Sequence, residues 1–241
     1  MQLTGIISGS FHWFDHLYAF FLIVVMPAMS LRSAGFSTDM AEMLPPKKHL
    51  FYTNGLMLII SGLLVLTSWN VSNRPWYTLG IAMPQITQLA LVIMSAIGAI
   101  YIADIIWSIL QKKWSKDPMD DLAYVLPVNW TEYRHYIFLA FAAGISEELV
   151  FRGFLMHYLG YYFTSLPYAT LLTVIVPGLV FAVSHLYQGV FAVLKISVLA
   201  FLFGWLYLET ASIIPVIIIH ITIDLVSGIL GVLERRGRRR N

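Results

Sequence analysis

Cysteine is absent from the 241 residues, and charge is scarce, with Asp, Glu, Lys and Arg together making up 12% of the chain. The missing cysteine excludes a disulfide-rich secreted scaffold. The missing charge excludes an ordinary soluble domain, which carries about 25% charged and about 45–50% apolar residues. Here 59% of side chains are hydrophobic and the mean hydropathy is +0.75. That leaves too little polar surface to coat a water-facing sphere, and it also excludes disorder and a collagen-like chain. Internal repeats and low-complexity segments are lacking, so a transporter built from inverted repeats gains no support. The formal charge is only +2, with the basic residues spread over loops and one tail, which argues against nucleic acid as a partner. The solvent that fits this composition is a lipid bilayer.

What the chain has instead is long apolar runs. A helix needs about 20 mostly apolar residues to cross about 30 Å of hydrocarbon. Seven runs qualify, at about 13–31, 49–69, 86–110, 137–156, 166–186, 190–208 and 212–232. The expected fold is therefore all-α, a polytopic transmembrane bundle of about seven spans, or eight if one is split. The first run lacks a basic segment before it and opens with Asp15 and His16, so it does not read as a cleavable signal peptide. Pro45-Pro46-Lys47-Lys48, Asn73-Arg74-Pro75 and the polar stretch 111–132 punctuate the runs as loops. With the N-terminus outside, twelve of the fifteen basic residues fall on the inner side: Arg32, Lys47, Lys48, Lys112, Lys113, Lys116, Arg134, Arg235, Arg236, Arg238, Arg239 and Arg240. Arg74 alone falls outside, while Arg152 and Lys195 lie within spans. Positive charge on the cytoplasmic side sets orientation, and the Arg-rich tail reads as an anchor on anionic lipid. The expected organisation is a scaffold of helices over 1–136, a functional core over 137–231 and a basic cytoplasmic tail over 232–241.

Ionisable groups inside spans are costly and point to function by default. His12, Asp15 and His16 lie near the outer end of the first span, where interfacial hydration accounts for them better than a metal site does. Asp104 and Lys195, on different helices, read as a structural ion pair or as snorkelling side chains. His157 follows the end of a span and reads as a rim residue. The last half is denser in such groups. Gly144-Ile-Ser-Glu147-Glu148-Leu-Val-Phe-Arg152 sets two carboxylates and a guanidinium in an otherwise apolar helix. Glu148 and Arg152 are four apart with the acid first, the favourable order for an intrahelical pair. Glu147, about 100° around the helix from Glu148, points elsewhere and is left available as a general base for water. Phe181 precedes His185 by one turn, and His220 precedes Asp224 by one turn. Three helices carrying His, Glu or Asp within one short block suggest a shared site.

These three elements, Glu147-Glu148-x-x-x-Arg152, Phe181-x-x-x-His185 and His220-x-x-x-Asp224, resemble the signature of the CAAX-protease and bacteriocin-processing family, also called the CPBP or Abi family, of intramembrane proteases. The setting is similar too, with Gly178-Leu-Val-Phe181 before the second motif and Gly204-Trp-Leu-Tyr-Leu-Glu-Thr leading to the third. The resemblance covers roughly residues 137–231. It implies peptide-bond hydrolysis within the membrane, acting on a membrane-associated protein or peptide of the CAAX or bacteriocin-leader type, while the short, compact chain with its Arg-rich tail suits a bacterial plasma membrane. By motif, Glu147 activates water, His185 positions it or moves its proton, and His220 with Asp224 stabilises the oxyanion. Glu148, Arg152 and Phe181 give structural support. Asp224 stands where many relatives have Asn. It donates to an oxyanion only when protonated; ionised, it instead orients His220.

Two rival readings come from the same residues. Two His and a Glu are a common catalytic zinc ligand set, so zinc or another divalent metal on Glu147, His185 and His220 is the alternative to metal-free catalysis. Yet no His-Glu-x-x-His is present, and Glu147 does not easily serve as both ligand and base. The metal-free reading is preferred. The second rival is a non-enzymatic membrane scaffold or immunity protein, which would be expected to lose part of a site that this chain retains in full.

Overall fold

A computed structural model describes residues 11–33, 45–114 and 126–238, and these are helical with no strand among them. Helix α1 runs from Trp13 to Ser33 as Trp13–Phe20, a π turn at Phe21–Val25 and Met26–Ser33; α2 is Lys47–Val71. A short 3₁₀ turn, Trp76–Leu79, lies between α2 and α3, Gln88–Trp114. Helix α4 is continuous through Trp130–Glu148, a π segment Leu149–Leu155 and Met156–Phe163. Helices α5 (Ala169–Val183), α6 (Val190–Thr210) and α7 (Ile214–Arg238) follow, with a 3₁₀ turn at Leu186–Gln188. In hydrocarbon every backbone N–H and C=O needs an internal partner, and continuous helices provide it.

The chain is an integral membrane protein. Five stretches are long and apolar enough to cross a bilayer: Trp13–Arg32, Lys47–Val71, Gln88–Leu110, Val190–Thr210 and Ile214–Glu234. Seven spans were expected. The two runs without such a stretch are 137–156, now part of α4 with Glu147, Glu148 and Arg152 in its middle, and 166–186, where α5 is only 15 residues long. Both carry residues singled out from the sequence, Glu147, Glu148 and Arg152 in the first and Phe181 and His185 in the second.

Two polar clusters mark the ends of the bundle. At one, Asp15 on α1 meets Arg74 after α2, while Gln85 N donates to Thr210 O at 2.9 Å and Ile213 N to Gly80 O at 3.0 Å. At the other, Lys47 pairs at 3.3 Å with Glu132, which ties the start of α4 to the residues before it. Its N–H donates to Asn129 Oδ1 at 2.9 Å and its carboxylate accepts from Val128 N at 3.0 Å. These are called the Asp15 end and the Lys47 end.

Helix α4 is the axis of the core. Leu149 to Met156 are buried, packed with Trp69, Leu79, Val174, Phe203, Leu206 and Val216 from surrounding elements. On its Lys47 side α4 meets α7 almost backbone to backbone. A Cβ at Gly144 would stand 3.1 Å from Ile221 N and 3.4 Å from Ile221 Cα. Only glycine permits that approach, and it sets Glu147 opposite His220.

Candidate active site

The site forms where α4 changes from α to π geometry. Such wide turns recur at functional sites because they re-aim side chains locally. Glu148 is the last residue before the π segment and Arg152 lies within it. Arg152 Nη1 donates to Glu148 Oε1 at 2.9 Å, both side chains being fully enclosed. The guanidinium lies between the rings of Phe181 on α5 and Phe203 on α6, 4.9 and 5.2 Å from their centroids. Its Nη2 reaches Ala200 O at 3.5 Å. A buried charge is tolerated when paired, hydrogen-bonded and faced by aromatic rings.

Glu148 has a second partner across the bundle. His220 Nδ1 lies 2.7 Å from the same Oε1. A carboxylate only accepts, so Nδ1 carries the proton and donates. Nε2 is therefore the nitrogen presented to the site, 3.7 Å from Glu147 Oε2 and 3.8 Å from Asp224 Oδ2. Phe181 and Phe203 flank the imidazole at centroid distances of 6.5 and 5.9 Å. The same two rings thus hold Arg152 and wall His220.

Of the residues predicted from sequence, Glu147, Glu148, Arg152, Phe181, His220 and Asp224 converge here. His185 sits where α5 ends, its ring 4.5 Å from that of Phe181. Its Nδ1 donates to Phe181 O at 2.8 Å, which leaves Nε2 as the nitrogen free of that bond. Nδ1 of both imidazoles is committed, to Phe181 O and to Glu148 Oε1, so Nε2 is the nitrogen that each ring offers to water, a carbonyl oxygen or an ion.

Elsewhere two readings are corrected. Of His12, Asp15 and His16, the two histidines are exposed as interfacial residues would be, but Asp15 is buried against Arg74. Ser68 donates to its Oδ1 at 2.6 Å and His12 N to Oδ2 at 2.8 Å, while Arg74 stacks over Phe11 and Trp69. Arg74, in the loop after α2, is thus a buried counter-ion to Asp15. His157 is not a rim residue: α4 continues to Phe163, so His157 is buried in its interior, 5.0 Å from Trp69. Asp104 and Lys195 form the interhelical ion pair that was one of their two readings. The residues missed by sequence reasoning are Phe203 and Tyr101. Phe203 carries no polar mark. Tyr101 donates to Ile223 O at 3.1 Å and lies 2.8 Å from Ser227 Oγ, on either side of Asp224. Its one local sign is its place a turn after Ile97, a buried residue of α3.

Residues 129–226 match the family model described as "Type II CAAX prenyl endopeptidase Rce1-like". No curated protein and no solved structure matches the chain.

Proposed function

The chain belongs, through residues 129–226, to the Rce1-like family of CAAX prenyl endopeptidases, and from that premise we propose that it hydrolyses a peptide bond of a membrane-associated protein or peptide with Glu147 as general base. The observation that carries this reading is the fixed orientation of His220. Glu148 holds its Nδ1, so Nε2 faces the space between Glu147 and Asp224. A gap of 3.7 Å to Glu147 is too long for a direct hydrogen bond and suits a water or a carbonyl oxygen seated between them.

The reaction then runs in balanced proton steps. Glu147 takes a proton from water as the oxygen attacks the scissile carbonyl. The resulting oxyanion faces His220 Nε2, which donates to it with the ring as imidazolium, its Nδ1–H and its charge both met by Glu148; preorganised donors of this kind stabilise developing charge by about 3–4 kcal/mol each. On collapse, Glu147 returns the proton to the departing amine. His185, with Nδ1 engaged by Phe181 O, offers Nε2 to orient the water. The orienting role once open to Asp224 falls to Glu148, which leaves Asp224 as a second group beside the oxyanion. No step is routed through a metal. The Lys47 end is proposed to be cytoplasmic, in keeping with the distribution of Lys and Arg.

The test is a pH–rate profile of wild type and Asp224→Asn, before and after exhaustive chelation, with bound metal measured on the same samples. An amide keeps its N–H at every pH, whereas a carboxylic acid loses its proton as pH rises. Asp224→Asn should therefore retain activity and extend it to higher pH, insensitive to chelator. Stoichiometric zinc with chelator-sensitive turnover would defeat the metal-free mechanism.

A further inference from the structure

The face that α3 turns towards the bundle changes character halfway along. Ala90, Ile93 and Ile97 are buried, but beyond Gly98 the same stripe continues as Tyr101, Asp104 and Ser108, and none of these is fully buried. Nothing lies within 4 Å of where a Cβ on Gly98 would be. Tyr101 bonds to α7 on both sides of Asp224, and Asp104 pairs with Lys195 on α6. Side-chain exposure rises in order along this path: Glu147 14%, Asp224 24%, Asp104 38% and Lys195 51%. Both members of the last pair lie within stretches that qualify as membrane spans. A half-exposed ion pair at that depth is costly if it faces lipid and is expected to line water.

Building on the peptidase reading, we infer that the cleft between the Lys47-end halves of α3, α6 and α7 is a hydrated entry route for the substrate's extended peptide segment, with the Asp104–Lys195 pair as the latch across its mouth. Tyr101, Asp104, Ser108, Lys195 and Ser227 supply the donors and acceptors that an extended backbone needs in place of water. Gly98 supplies the weak point about which the outlying half of α3 swings, since an exposed mid-helix glycine costs about 1 kcal/mol relative to alanine. The route assigns a function to the N-terminal half beyond scaffolding.

Because the chain has no cysteine, any introduced thiol is unique. In proteoliposomes, single variants Asp104→Cys, Ser108→Cys and Ser227→Cys should react with a charged, water-soluble methanethiosulfonate at least about tenfold faster than Ile106→Cys and Leu110→Cys on the opposite face of α3, since only a hydrated thiol ionises and reacts. Equal, slow labelling at all five positions would overturn the cleft, whatever the enzymatic activity. The double variant Asp104→Cys/Lys195→Cys, bridged by a short bis-methanethiosulfonate, should stop cleaving a quenched farnesylated peptide and recover on reduction. Cleavage by the bridged form at the reduced rate would overturn the route. If wild type and the reduced variant both fail on this peptide, the peptidase reading is at fault, and the labelling pattern still decides the cleft.

Discussion

At the scale of single residues, Glu147 and Glu148 are neighbours with separate work. Glu148 holds Arg152 within its own helix and His220 across the bundle, through one oxygen atom. Its other oxygen, Oε2, has no hydrogen-bond partner among the described residues. Glu148→Gln leaves Arg152 without a counter-ion, and breaking a buried pair this way costs about 3–5 kcal/mol. Thermal unfolding in detergent should show a large drop in stability. Activity should fall with it, because His220 loses the carboxylate that holds its Nδ1–H and turns Nε2 towards Glu147. An Arg152→Met/Glu148→Gln double variant removes both charges and should recover most of the stability but not the turnover. Full activity in that double variant would show that Glu148 does not position His220. The four-residue spacing of Glu148 and Arg152 made their pairing legible in the sequence. The 72-residue link from Glu148 to His220 was not, because helical periodicity says which residues share a face and nothing about which helix that face meets.

At the scale of elements, the closeness of α4 and α7 rests on Gly144 against the Ile221 backbone. Gly144→Val should push the helices apart and lower turnover by widening the gap between Glu147 and His220, with the protein still inserted in the membrane. Turnover and melting temperature measured together on Gly144→Ala and Gly144→Val should fall in that order. A more conservative break at the start of α4 separates local stability from chemistry. Asn129→Ala removes the cap at Glu132 N, which should cost about 1 kcal/mol and leave kcat/KM unchanged. A loss of activity out of proportion to stability would place that end of α4 in the substrate's path. The sequence foretold all-helical elements and which of them carry charge, because hydropathy and breakers are local. It did not foretell the length of α4, the π segment or the burial of His157 and Asp15. Each of these depends on a neighbour, Leu79 against Gly153 in one case and Arg74 against Asp15 in another.

For the whole molecule, the two polar clusters at opposite ends define an axis along which orientation is tested. In vesicles, Met83→Cys, highly exposed between α2 and α3, should react with an impermeant reagent from outside and Lys48→Cys only after permeabilisation. The reverse pattern would invert the proposed topology. Along that axis the catalytic reading narrows to one carboxylate in one place. Its most direct measurement compares wild type with Glu147→Gln, both purified, reconstituted with a quenched farnesylated peptide and checked for equal melting temperature and equal peptide binding. Positioned general bases contribute about 10²–10⁴-fold, so kcat should fall by about that factor while folding and binding hold. A Glu147→Gln protein that is folded, binds the peptide and cleaves it at the wild-type rate would contradict the account.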